Sequence, residues 1–140
     1  MTSNDYVPFK ITGVITAAVS SPFNDGTPGS GLYAVPFSFS RGLTEFEQEA
    51  MVAVWDNPPF YSNMHRAGIA RCYSDKFVLA RTTIEEVRDH HQRTLVAIVA
   101  KVNELSEAQH RQDAEVEAAE RASLADHQQN IQDIAKGLSF

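Results

Sequence analysis

Two stretches near the start of the chain alternate apolar and polar residues. Val7, Phe9, Ile11, Gly13, Ile15, Ala17 and Val19 make one face, and Pro8, Lys10, Thr12, Val14, Thr16 and Ala18 the other. That period of two is a strand's. Pro8 suits a strand start or an edge, and Gly13 suits a bulge or a close backbone approach. Residues 20–31 are turn formers throughout and predict a loop. Tyr33, Val35, Phe37 and Phe39 then alternate again. Pro36 interrupts their row of donors, which places this second strand near an edge too.

The period next becomes helical. Thr44-x-x-Glu47 is a capping box, and Phe46, Ala50, Met51, Val54 and Trp55 follow on one face. Asp56-Asn57-Pro58-Pro59 stops this helix, because a residue before proline avoids helical geometry. Residues 68–81 predict a hairpin turning near Ser74-Asp75. A two- or four-residue loop sets Cys72 opposite Phe77 and Ala70 opposite Leu79, all on one apolar face. A three-residue loop would instead bring Arg71 and Arg81 to one face. It favours a glycine that this turn lacks, so the first register is expected.

Overlapping boxes at Thr82-x-x-Glu85 and Thr83-x-x-Glu86 open a long helix with Ile84, Val87, His91, Leu95, Ile98, Val102 and Leu105 at spacings of three and four. From 84 to 105 it would run about 33 Å. That exceeds what a small sheet covers, so Leu95, Ile98, Val102 and Leu105 are expected to meet a second chain. Beyond Leu105 the stripe weakens through Gln109 and Gln112. It returns at Leu124, Ile131, Ile134 and Leu138, interrupted by His127. The segment is rich in helix formers and ends at Gly137, a plausible cap. It either extends the long helix or starts a second one near Ser123. The expected fold is α+β: a four-stranded antiparallel sheet (two N-terminal strands plus a hairpin) with a short helix and one long helix, followed by a helical acidic tail. The division is a core domain at 1–105 and a tail at 106–140, poorly buried or used for association.

Charge sharpens this division. The 140 residues carry a net charge of −6. Residues 103–140 hold eight acids against three bases, a balance of −5, leaving −1 for the rest. Nucleic-acid binding through the tail is disfavoured, because phosphate recognition needs clustered Lys and Arg. Cys72 stands alone, so no intramolecular disulfide forms and a reducing, cytoplasmic setting is expected. The N-terminus lacks a signal-peptide pattern, and no apolar run approaches a membrane span, so no membrane partner is expected.

Candidate chemistry is sparse. The glycine-rich loop at 24–31 lacks the Gly-Lys-Ser/Thr of a phosphate loop and leads into a strand. His90 and His91 point about 100° apart on a helix and lack a His-Glu-x-x-His pattern, so no metal or other cofactor is expected. No nucleophile elbow is present, and Cys72 falls on an apolar strand face where a thiol is inert. The acid pairs Glu45/Glu49 and Glu85/Asp89 suit helix N-termini better than acid–base catalysis. Trp55, Phe60 and Tyr61 around Pro58-Pro59 suit a seal over the helix end.

Six arginines (Arg41, Arg66, Arg71, Arg81, Arg88, Arg93) and one lysine, Lys76, lie between 41 and 93. Guanidinium forks match carboxylates and phosphates. They suggest a site for a small anionic ligand such as a nucleotide at His65, Arg66, Arg71 and His91. The competing reading pairs them with Asp75, Glu85, Glu86 and Asp89 on the surface. No catalytic residues are assigned, and an enzyme is the least supported class. The first expectation is a non-enzymatic interaction module, a homo-oligomer or a binder of another protein, using its C-terminal helical region. The alternative is a binding protein for a small anion.

Overall fold

A computed structural model describes residues 5–139; residues 1–4, part of the stretch that lacks a signal-peptide pattern, and residue 140, the last of the tail, lie outside it. Strand β1 (Ile11–Val14) leads through a 3-10 turn (Thr16–Ala18) and a loop to β2 (Tyr33–Phe39). Helix α1 (Glu45–Asp56), β3 (Ala70–Cys72) and β4 (Lys76–Thr82) follow. The long helix comprises α2 (Ile84–Glu86), a π turn (Val87–His91) and α3 (Gln92–Lys136). The sheet is antiparallel in the order β1-β2-β4-β3. The fold is therefore α+β. The hairpin takes the expected register, Ala70 opposite Leu79 and Cys72 opposite Phe77.

The expected edge position of the second strand is corrected, because β2 is paired on both sides. Pro36 survives there because of the way antiparallel ladders alternate. A residue's N–H and C=O face the same neighbour, so its missing donor affects one side alone. The Pro36 carbonyl accepts from Ile15 N–H at 2.9 Å, so that side is β1's. No N–H returns to the Ile15 carbonyl, which instead accepts from Ala18 N–H at 3.0 Å and closes the 3-10 turn. The chain rejoins the sheet at Ser20, whose N–H donates to Ala34 O at 3.1 Å and whose Oγ accepts from Ala34 N–H at 2.8 Å. The long N-terminal strand of the alternating pattern is thus reduced to four residues. Its pairing with β2 is irregular between Ile11 and Gly13, where the glycine suggested a bulge.

One cluster of buried side chains joins the elements. Val35, Phe77 and Leu79 come from the sheet, Met51 and Trp55 from α1, and Ile98 and Val102 from α3, all fully buried. Within α1 the buried face is Glu47, Met51 and Trp55, whereas Phe46 is exposed. The chain divides into two compact units, Met1–Ser106 and Glu107–Phe140. Helix α3 has no second start near Ser123. In the second unit every residue from 111 to 139 is exposed.

Candidate functional site

Trp55 organises the polar part of the first unit. It sits in the last turn of α1, which ends at Asp56, and residues 57–69 wrap back over it. Its Nε1–H donates to Arg66 O at 2.8 Å, and its carbonyl oxygen lies 2.8 Å from His65 Nε2. A carbonyl only accepts, so it is His65 Nε2–H that donates here. The His65 ring lies 4.3 Å from the Trp55 ring and 5.3 Å from Tyr61. From the π turn, His91 meets Trp55 edge-on at 5.4 Å. Asp56 Oδ1 accepts from Gly68 N–H at 2.8 Å and ties down the far end of the connector.

His91 is fully buried, and neither ring nitrogen has a hydrogen-bond partner among the described residues. Ser62 Oγ, His65 Nδ1 and Thr94 Oγ1 are buried and unpartnered as well. Burial is the main reason the His91 pKa falls from 6.5 to about 4. Glu86 pulls it upward, and Arg66, His65 and His90 push it down. The imidazole is therefore neutral at physiological pH. No carboxylate orients it, and among the described residues no three His, Cys, Asp or Glu side chains gather as a metal set.

His65 and His91 thus meet at Trp55, which Arg66 joins through its backbone. The Arg66 side chain is engaged elsewhere, its Nη1 and Nη2 holding Glu86 Oε1 and Oε2 at 2.9 and 2.8 Å. Glu86 also accepts from Thr82 Oγ1 at 3.1 Å, and Arg66 above all holds its carboxyl below the ordinary range. Of the two overlapping boxes, the Thr83 one forms by half: Thr83 Oγ1 accepts from Glu86 N–H at 3.1 Å and caps α2, while the Glu86 carboxylate is taken by Arg66 and Thr82 rather than the cap's N–H. Arg71 is not part of this group. It lies on the outer strand β3 and donates to the Gly68 and Ala70 carbonyls at 3.0 and 2.8 Å. Arg88 pairs with its exposed neighbour Asp89.

A second polar centre, absent from the candidate set, forms around Glu47. Its carboxylate is completely buried and is held by both Nη atoms of Arg41, at 2.8 and 2.7 Å. The capping box is complete, with Thr44 N–H donating to Glu47 Oε1 at 3.0 Å and Glu47 N–H to Thr44 Oγ1 at 3.2 Å. Ser106 Oγ donates to Glu47 Oε2 at 2.9 Å. The Tyr6 hydroxyl stands 2.8 Å from the same oxygen and 2.7 Å from Asn103 Oδ1. Burial by itself would raise the Glu47 pKa, but these donors outweigh it and bring it down to about 2. The Asn103 amide pairs with both backbone groups of Phe9, at 3.0 and 2.8 Å, in the manner of a strand residue. The capping box was the one signal of Glu47 in the sequence, and it says nothing about Arg41 or Ser106.

Of the four residues nominated for association, Leu95, Ile98 and Val102 are buried in their own unit, and Leu105 is 37% exposed. The sheet and α1 cover more of the helix than its length suggested. No protein-family model, curated protein or solved structure matches the chain.

Proposed function

We propose that this chain is a non-enzymatic interaction module that associates with a second copy of itself through the helix beyond Ser106. One observation carries the reading: from 111 to 139 the chain is helical almost throughout, yet every residue is exposed. A helix with no buried face gains nothing from packing, which is the main source of helix stability in proteins. Leu124, Ile131, Ile134 and Leu138, each about half exposed or more, fall with His127 on one stripe at spacings of three and four. That is the spacing of a helix–helix seam. The seam is weak, because Glu120 and His127 interrupt it, and it suits a concentration-dependent contact. The lone cysteine fits a reducing, cytoplasmic setting. Among the described residues no helix is long and apolar enough to cross a membrane.

Sedimentation equilibrium of the full chain across the micromolar range tests this. The wild type should show a mass above the monomer that rises with concentration. The double variant Leu124→Glu/Ile131→Glu should remain monomeric with unchanged tryptophan emission. A wild-type mass equal to the monomer throughout would overturn the proposal, as would an assembly that the variant leaves intact.

A further inference from the structure

Between β1, the end strand of the sheet, and the start of the long helix runs a groove of about 490 Å³. The volume falls within the roughly 300–1,000 Å³ of small-molecule sites. Phe37, Val87, Leu95 and Val99 contribute apolar lining that is itself nearly buried. Ile84 and Val96 also line it, and they are 40% and 67% exposed, so apolar surface is left uncovered there. The π turn contributes Val87 and Arg88, and such turns recur at functional sites.

Its charge is distinctive. The chain has a net charge of −6, yet the charged side chains lining this groove are Lys10 and Arg88, both cations. Arg88 shares its charge with Asp89 in an exposed pair, whereas the Lys10 ammonium has no ion-pair partner among the described residues. Thr12 and Gln92 add neutral hydrogen-bonding groups. A largely apolar slot that has, among the described residues, an unpaired lysine at its edge and no carboxylate in its lining complements a molecule with a hydrocarbon chain and an anionic head. A cationic amphiphile would meet Lys10 as a like charge.

We propose that this groove binds an aliphatic carboxylate, with its head at Lys10 and its chain along Phe37, Leu95, Val96 and Val99. The site lies wholly within the first unit and does not depend on the proposed association. Burial of hydrocarbon makes longer chains bind better, by up to roughly fourfold per methylene. Calorimetric titration of the full chain with dodecanoate below its micelle concentration should give saturable binding of one molecule per chain. Octanoate should bind more weakly, and dodecyltrimethylammonium should not bind. Lys10→Glu and Val96→Glu both alter exposed side chains and leave the core intact. Each should weaken dodecanoate binding tenfold or more without changing the unfolding midpoint. Absence of saturable dodecanoate binding would overturn the proposal, as would equal binding of the cationic amphiphile or wild-type affinity in both variants. If Val96→Glu lowers the assembly mass while dodecanoate fails to bind, the groove is a contact between copies and the carboxylate reading is wrong.

Discussion

A His91→Leu variant should abolish an acid sensitivity that the wild-type fold carries between pH 6.5 and 4. His91 is neutral and fully buried, with its pKa depressed from 6.5 to about 4. The unfolded chain therefore takes up this proton first as the pH falls. The contribution to stability is complete above pH 6.5, declines below it, and is gone near pH 4. At ~1.4 kcal/mol per pH unit the loss is about 3 kcal/mol. Leucine has similar bulk and nothing to ionise. At pH 7 it removes two unpartnered ring nitrogens, and leaving a buried polar group unsatisfied costs about 1–3 kcal/mol. Against that stands the edge-on contact with Trp55, worth about 0.5–1.5 kcal/mol. The variant should thus match or exceed the wild type by about 1 kcal/mol at pH 7. Urea unfolding at fixed protein concentration, followed by fluorescence, measures both quantities, because Trp55 is the chain's one tryptophan and touches His91. Two results would refute the reasoning: a variant that still loses about 3 kcal/mol between pH 6.5 and 4, or one destabilised by that amount at pH 7.

Glu47→Ala should cost about 3–5 kcal/mol in urea unfolding at pH 7, because it strands the Arg41 charge beside the core. Glu47 also sets a lower acid window: its pKa is depressed from 4.5 to about 2, so its contribution is whole above 4.5 and lost toward 2. Stability of Glu47→Gln should be less steep in that window than the wild type's. The Arg66–Glu86 pair is partly exposed, and a double-mutant cycle of the two alanine variants should give a coupling of about 1 kcal/mol or less. Burial chiefly, with the Glu47 charge second, pushes the Cys72 thiol up to about 12. Its alkylation by iodoacetamide at pH 8 should be roughly a hundredfold slower in the native protein than in urea, as followed by mass spectrometry.

The features legible in the sequence depend on residues close together in the chain. Thr44 and Glu47 are three apart, and their box forms as written. The hairpin register followed from the missing turn glycine and the apolar alternation on either side. The length of the second helical segment and its polar composition marked a stretch with little to bury. The candidate site was less accessible for the same reason. His65 and His91 meet at a tryptophan ten residues before the first and thirty-six before the second. Arg66 is bound by a carboxylate twenty positions away. The π turn has no composition signature, since it depends on which carbonyl each N–H chooses.

The sequence by itself determined the α+β class, the hairpin pairing, the helix starts and the break in charge near residue 103, because each follows from neighbours within a few positions or from a sum of charges. Tertiary structure alone decided that Pro36 sits inside the sheet, that Glu47 rather than Phe46 faces the core, and that Leu95, Ile98 and Val102 are buried within the first unit. The first two of those outcomes rest on partners 21 and 59 positions apart: Ile15 for Pro36 and Ser106 for Glu47. Whether a polar group is buried with its partners or left in water is fixed when such distant groups meet, and no local period records it.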